Sequence, residues 1–454
     1  MKGKKEQFSN RFAVIAAMAG SAIGLGNIWR FPYMVGENGG GAFVIVYLIC
    51  SVFLALPCFF SEAILGRHSG TGIMGIMKSK FPEGKLNFLG VLCILSPVLI
   101  LSFYSIVGGW SLEYLVKAIA GDFNSMSETE SVRVFNDYSS SVWRPILTHF
   151  VFLNTTAVVV SLGVKKGIEK FNKIIMPVLF VLMVLIVVFS MSLPGAEAGL
   201  SYILKPDFSK IDADVICDAL GQSFFSLSLG MGTILVYSTF MKKSESIIGS
   251  GMLTVVFDTA FAILAGLAIM PAVFSAGIGP SSGPGLVYET LPYIFSSMGT
   301  VSPTVGYLVP LLFFLAVLMA ALTSEISMFE VFYEYLRYDR LYSKKKSILT
   351  VFFIGFLIGI PCSLSFGPLK DVTVWGLTLF DLADFTTSNF LMFIGSLLFC
   401  MIVGWKMKKE EVYMEITNNG EKKFAKLIFK PLYLWIRYVL PFGIIIIFLT
   451  NLFV

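Results

Sequence analysis

Two apolar stretches of the chain are interrupted by the same pattern, Ile23-Gly24-Leu25-Gly26 and Leu229-Gly230-Met231-Gly232. Inside a bilayer every backbone N–H and C=O needs a partner, so a helix does not break there without something to occupy the break. A broken helix presents N–H groups on one half and carbonyl oxygens on the other. The N–H end carries partial positive charge and suits a carboxylate. The carbonyl end suits an ammonium group or Na+, a hard cation that takes oxygen ligands. Both ends meeting at mid-membrane make a site for a zwitterion, an α-amino acid. Polar side chains ring both breaks: Ser21 and Asn27 at the first, Ser226, Ser228 and Thr233 at the second. Polar groups at that depth are costly and mark function. Gly20 and Gly24 also fit a close helix-packing pair, but packing alone leaves the recurrence of the break unexplained.

The elements that must hold these breaks are membrane spans. Of 454 residues, 56% are hydrophobic and 14% charged, against roughly 25% charged in soluble domains. That composition argues against soluble enzymes and nucleic-acid-binding proteins. Eleven apolar stretches are long enough to cross about 30 Å of hydrocarbon. They are 12–35, 41–66, 87–117, 145–162, 171–193, 214–240, 247–275, 305–336, 348–366, 378–405 and 431–453. The first is too long to be the apolar region of a cleavable signal peptide. With a cytoplasmic N-terminus, most of the 34 Lys and Arg fall on the cytoplasmic side. The opposite loops hold only Lys117, Arg133, Arg144, Lys205, Lys210 and Lys370. This bias implies a cytoplasmic N-terminus and, after eleven crossings, an external C-terminus in the plasma (inner) membrane. It also accounts for the net charge of +5 without an acidic partner.

Cys50, Cys58, Cys93, Cys217, Cys362 and Cys400 are scattered with no CxxC, which reads as apolar packing. His68 and His149 are far apart and join no metal or nucleophile cluster, and no HExxH occurs. An enzyme is not expected.

Residues 1–11 form an N-terminal segment, spans 1–5 cover 12–193 and spans 6–10 cover 214–405. A basic loop at 406–430 precedes span 11 at 431–453. An odd number of spans per half makes any repeat an inverted one, with its site at the interface of the halves. The expected fold is an all-α membrane protein: eleven transmembrane helices, a 5+5 inverted repeat with helices 1 and 6 broken, and one extra helix.

The run from Ala19 to Pro32 (Ala-Gly-Ser-Ala-Ile-Gly-Leu-Gly-Asn-Ile-Trp-Arg-Phe-Pro) is similar to the first helix of the neurotransmitter:sodium symporter family. Glu37-Asn38-Gly39-Gly40-Gly41-Ala42-Phe43, Gln222 to Gly230, Leu322-Thr323-Ser324 and Phe380-Asp381-Leu382-Ala383-Asp384 also match. These matches spread from about residue 8 to 405. The chain most resembles the bacterial eleven-span amino-acid transporters of that family, with the leucine-transporter-type fold.

The resemblance implies a site. The N–H groups of Leu25 and Gly26 and the Tyr104 hydroxyl would hold a substrate carboxylate. The carbonyls of Ala22, Phe225 and Ser226 would take the ammonium. Ile100, Phe225, Ser228, Met231 and Met328, with Ser324 nearby, would surround the side chain. A first Na+ would use Ala22, Asn27, Ser226 and Asp258 with the substrate carboxylate, and a second would use Gly20, Ile23, Ala320, Thr323 and Ser324. A carboxylate shared with the first ion couples the two, and each raises the other's affinity.

Departures from the family pattern are informative. Asp258 stands where many relatives have Asn. Chloride-dependent relatives place Cl− near the positions of Tyr47, Gln222 and Ser226, and a fixed carboxylate there would replace it. Chloride-independent transport is therefore expected. Gly24 stands where biogenic-amine transporters carry Asp, so the substrate must bring its own carboxylate. Met231 replaces a Phe, and flexible Met side chains adapt to varied apolar surfaces. Hydrophobic and aromatic amino acids are expected: tyrosine, tryptophan, phenylalanine or leucine.

By the same resemblance, Arg30 and Asp384 would form an outer gate above Phe225 and Tyr104. Lys5, where Arg is usual, would pair with Asp339 in an inner gate, and Phe8 stands where Trp is usual. Lys lacks the bidentate fork of Arg, so its hold should be weaker. Glu62 matches a family position in span two. Glu325 is less usual: it could tune the second sodium site, carry a counter-transported proton, or serve as a buried hydrogen-bonding group.

The expected function is Na+-coupled symport of amino acids by alternating access, with spans 1, 2, 6 and 7 rocking against the rest. A proton-driven transporter of the same fold is the alternative. A channel is disfavoured by the zwitterion-sized site and the absence of charge rings. The partners are a small-molecule substrate and the lipid bilayer, with no nucleic acid.

Overall fold

The structure, a computed structural model, describes residues 5–124, 126–279 and 283–453. Lys2 and Lys4, which enter the charge-bias argument, lie outside the described residues. The chain is helical, with no strand longer than an isolated bridge between Val374 and Leu377 among the described residues. Eight continuous helices and one bent pair are long and apolar enough to cross a membrane.

The bent pair is α1 (Arg11–Ala22) and α2 (Gly26–Glu37), which meet at 54°. Then come α3 (Gly41–Ser69) and α4 (Asn87–Ala120), α5 (Trp143–Ser161) and α6 (Val164–Met191). The second broken helix is α7 (Ala213–Ser226) with α8 (Thr233–Thr239). It is followed by α9 (Ile247–Ser275), α10 (Pro303–Asp339), α11 (Lys344–Leu364) and α12 (Leu379–Lys406). A short helix, α13 (Lys409–Thr417), leads into α14 (Lys423–Thr450). Each half therefore opens with a broken helix followed by four continuous ones.

Two expected spans are not among the nine apolar crossings. The α5 helix lies at 145–162, but Arg144, Thr148, His149, Asn154, Thr155 and Thr156 dilute its apolar character. The α7/α8 pair lies at 214–240, divided by residues 227–232. The stretch read as a loop at 406–430 is largely helical, and the last long helix starts at Lys423. Ala425, Phe429 and Tyr433 recur every fourth residue and are buried, a helical stripe hidden in the sequence by interleaved lysines.

In chain order, the turns after α3, α5, α8, α10 and α12 return to the face that carries the N-terminus. Helices α4 and α10 pack against each other, α3 packs on α8, and α9 lies against α1 and α6. Both breaks are thereby enclosed at the centre of the bundle.

Candidate substrate and sodium site

The first break starts where Ile23 leaves the helix with φ −71° and ψ 107°. Several of its freed groups find side-chain partners. Gly24 N–H donates to Asn27 Oδ1 and Leu25 N–H to the Tyr104 hydroxyl, both at 3.0 Å. On the carbonyl side, Ser228 Oγ donates to Ser21 O at 3.0 Å and Ser324 Oγ to Ile23 O at 3.2 Å. Gly24 has no room for a side chain: a Cβ there would meet Ser324 Oγ at 2.3 Å and Tyr104 Oη at 2.7 Å.

The second break needs left-handed backbone at Ser228, Gly230 and Gly232, with φ of 53°, 83° and 77°. Glycine supplies that conformation without strain. At Gly230 it is also demanded by space, because a Cβ would lie 1.8 Å from Met392 O. Buried Glu62 caps α8 from α3: its Oε1 accepts Gly230 N–H at 2.6 Å and its Oε2 accepts Leu235 N–H at 3.4 Å. The carboxylate thus meets the positive end of the inner half-helix.

Between the breaks lies a cavity of about 20 Å³, space for about one water. Every residue expected at the substrate site borders it except Leu25, and Gly24 joins them. Tyr104 and Phe225 separate it from a larger cavity of about 270 Å³, which Leu25, Trp29, Arg30 and Asp384 help to line. An amino-acid side chain fits the smaller space only after its walls spread.

Behind Ser226, which borders this cavity, Asp258 is buried. Its Oδ1 accepts Asn27 Nδ2 at 2.8 Å, and Ser226 Oγ lies 2.9 Å from both carboxylate oxygens. Tyr47 Oη lies 3.4 Å from Oδ2. Gln222 Nε2 donates to Gly26 O at 2.8 Å, leaving its buried Oε1 unpartnered. The Thr254 hydroxyl, one helical turn before Asp258, is buried without a partner as well. Sequence reasoning missed Thr254, although its i, i+4 spacing from Asp258 puts both on one face of α9.

On the other side, Thr323 Oγ1 contacts Ala320 O at 2.9 Å and Ile23 O at 3.4 Å, and Ser324 Oγ reaches Ser21 O at 3.3 Å. Thr323, Ser324 and the carbonyls of Ile23 and Ala320, four of the five groups expected for the second ion, therefore meet at the junction of α1 and α10. The first locus offers carbonyls, a hydroxyl, an amide and one carboxylate, and the second carbonyls and hydroxyls, oxygen donor sets suited to Na+ by the hardness argument. No group of three or more His, Cys, Asp or Glu with metal-site geometry occurs among the described residues.

The expected inner pair is corrected. Lys5 Nζ meets Glu334 Oε1 at 2.5 Å, not Asp339. Asp339 lies 3.8 Å from Lys78 instead. Residues Tyr335–Asp339 form a wide π-type turn that carries Asp339 toward the short helix Ile73–Lys80, whereas Glu334 stays buried. Phe8 packs edge-on against Tyr237 and Phe240 beside this pair. Arg30 and Asp384 face the same larger cavity but do not form an ion pair. The Arg30 guanidinium lies over the Phe225 ring, 4.7 Å from its centroid, and Asp384 accepts from Ser388 at 3.0 Å. Both oxygens of Glu325 are buried without a hydrogen-bond partner.

Comparisons with known proteins agree with this geometry. A family model described as Sodium:neurotransmitter symporter family matches residues 5–136 and 129–454. YhdH of Bacillus subtilis, an uncharacterized sodium-dependent transporter, is 38% identical over 98% of each chain. An uncharacterized sodium-dependent transporter of Haemophilus influenzae is 32% identical over 99% of each. Among solved structures, MhsT in complex with L-phenylalanine superposes with a TM-score of 0.89 at 37% identity, covering 99% of this chain and 100% of that one. The chain belongs to the sodium:neurotransmitter symporter family.

Proposed function

We propose that this symporter carries hydrophobic and aromatic L-amino acids with Na+, independently of chloride. The observation that carries this reading is the small cavity between two helix breaks, bordered by Tyr104, whose hydroxyl accepts the Leu25 N–H, and by Ser226, which bonds Asp258. A substrate carboxylate would take the place of the internal partner at Leu25 and accept the Gly26 N–H as well. The ammonium would sit against the carbonyls of Ala22, Phe225 and Ser226.

The apolar lining from Ile100, Met231 and Met328 supports a hydrophobic side chain, and it contains no charge to anchor a polar one. The L-phenylalanine in the similar MhsT structure supports the same class. The crowding around Gly24 supports the exclusion of amines that need a protein carboxylate there. Asp258, ringed by Asn27, Ser226 and Tyr47, would supply the fixed negative charge that chloride brings elsewhere.

Two Na+ ions would bind, one at Ala22, Asn27, Ser226 and Asp258, the other at Gly20, Ile23, Ala320, Thr323 and Ser324. The face bearing the N-terminus is cytoplasmic in this reading, with Lys5–Glu334 closing the inner side and Arg30 and Asp384 flanking the outer vestibule. The test is equilibrium binding of labelled L-phenylalanine to the purified chain, competed in turn by the other nineteen amino acids. Binding that persists when choline replaces Na+ at constant pH would favour the proton-coupled alternative. Failure of every hydrophobic amino acid to compete would overturn the substrate class.

A further inference from the structure

Arg437 sits where α12 and α14 touch, and no carboxylate answers it. A Cβ on Gly404 would come within 2.9 Å of the Arg437 Cα. Trp405 Nε1 donates to Arg437 O at 3.0 Å and Tyr433 Oη to Gly404 O at 3.2 Å, so the contact is locked through the backbone. The guanidinium packs on two rings, 4.9 Å from the centroid of Trp405 and 5.3 Å from that of Tyr438. Its Nη1 reaches the Tyr433 hydroxyl at 3.5 Å, long for a hydrogen bond, and its Nε is buried with no partner. Arg437 forms no ion pair among the described residues. A partly desolvated cation is costly unless an anion meets it.

The level of this cation in the bilayer follows from the sequence. Residues 385–405 and 438–454 contain no Asp, Glu, Lys or Arg. Lys406 and Arg437 therefore end the uncharged parts of two touching helices at nearly the same height, on the N-terminal face, where headgroups lie. Trp405 and Tyr438, 55% and 52% exposed, are the interfacial aromatics of that boundary. Beyond Tyr438, exposed Phe442, Ile445 and Leu449 continue one apolar face at helical spacing. On the other side exposed Lys430 precedes Arg437 by two turns, about 10 Å along the axis. Like Lys406, it forms no ion pair among the described residues. A free phosphate would answer the charge and leave the apolar face bare, whereas an amphipathic anion covers both.

We propose that the junction of α12 and α14 is a binding site for one anionic phospholipid of the leaflet on the N-terminal face. The Arg437 guanidinium takes its phosphate, Lys406 and Lys430 add positive charge, and an acyl chain runs along the face that begins at Tyr438. The surplus of cations selects an acidic headgroup, because a choline headgroup would bring a further positive charge to a site with no carboxylate paired to its own. Arginine suits the phosphate better than lysine would, since its fork donates two hydrogen bonds while its plane stays on the rings.

The test is quenching of tryptophan fluorescence in the purified full chain, held in neutral detergent, by brominated phosphatidylglycerol and separately by brominated phosphatidylcholine. Phosphatidylglycerol is expected to half-saturate the quenching at about fivefold lower mole fraction, and added salt should erode that preference. Trp405→Phe should remove the saturable signal, and Arg437→Gln should abolish the preference. Equal half-saturation by the two lipids in the wild-type chain would overturn the proposal, and so would an unchanged preference in Arg437→Gln. Displacement of the brominated lipid by inorganic phosphate would overturn it as well, making the site one for a free anion. If Arg437→Gln does not fold, the wild-type comparison and its salt dependence decide without it.

Discussion

Asn27 Nδ2 and Asp258 Oδ1 are 2.8 Å apart, tying the first helix break to the middle of α9. The same Asn27 uses its Oδ1 to accept the Gly24 N–H. One amide side chain therefore spans from the broken backbone to the buried carboxylate, so the carboxylate's charge and the shape of the break are linked.

Asp258→Asn removes that charge while keeping most of the shape. Uptake by the variant should become chloride-dependent, at least about tenfold lower in gluconate than in chloride, which corresponds to roughly 1.4 kcal/mol. Wild type should transport equally in both. A wild-type rate that fell to background without halide would contradict the role given to Asp258.

Gly24→Asp should eliminate amino-acid binding. The new side chain would collide with Ser324 Oγ and Tyr104 Oη and would place a negative charge where the substrate carboxylate belongs. Affinity should fall more than about 100-fold, or roughly 2.7 kcal/mol, in a protein that still elutes as a folded species. Near-normal binding of phenylalanine would show that the carboxylate lies elsewhere.

The Lys5–Glu334 pair predicts a coupling that Asp339 does not share. Lys5→Ala and Glu334→Gln should each increase accessibility of the site from the N-terminal face, read by thiol labelling of a reporter cysteine. Their combination should be non-additive by roughly 0.5–3 kcal/mol. Asp339→Asn combined with Lys5→Ala should be additive. The reverse pattern would restore Asp339 as the partner.

Glu415 on α13 accepts from Arg67 Nε at 2.8 Å and Lys243 Nζ at 2.5 Å, with His68 Nδ1 at 3.5 Å. Burial would push its carboxyl up, but the hydrogen bonds of His68 and Lys243 and the charge of Arg67 outweigh it and hold the group down from 4.5 to about 2. A carboxyl depressed in the folded state stabilises it above its ordinary value, and that contribution is lost as pH falls toward the folded value. The melting-temperature difference between wild type and Glu415→Gln should therefore be full above about pH 4.5 and shrink toward pH 2. A constant difference would contradict the assignment. At neutral pH Glu415→Ala, which leaves buried Arg67 without its carboxylate, should cost roughly 3–5 kcal/mol.

Much of the site was legible in the sequence because the breaks advertise themselves. Glycines such as Gly24 and Gly230, with Asn27, Ser226 and Ser228 in otherwise apolar runs, mark where backbone polarity must be answered. Most of the lining residues came from the family resemblance and met in one cavity. Partners set by long-range packing were harder to read. Glu62 was visible as an intramembrane carboxylate, but its two N–H partners in the second break were not. Thr254 looks like any helical threonine until Asp258 is seen beneath it. The choice between Glu334 and Asp339 depended on a π-type turn, a hydrogen-bonding detail with no clear compositional mark. Lysines in 422–430 disguised the start of α14 because their charge outweighs the buried stripe of Ala425, Phe429 and Tyr433.

The central claim is that sodium entry drives amino-acid accumulation. The direct measurement is uptake of labelled L-phenylalanine into liposomes containing the purified chain, at constant pH, with an inward Na+ gradient and then with equal Na+ on both sides. The account predicts transient accumulation above the external concentration with the gradient and only equilibration without it. Equal uptake under both conditions, or accumulation with choline in place of Na+, would contradict it.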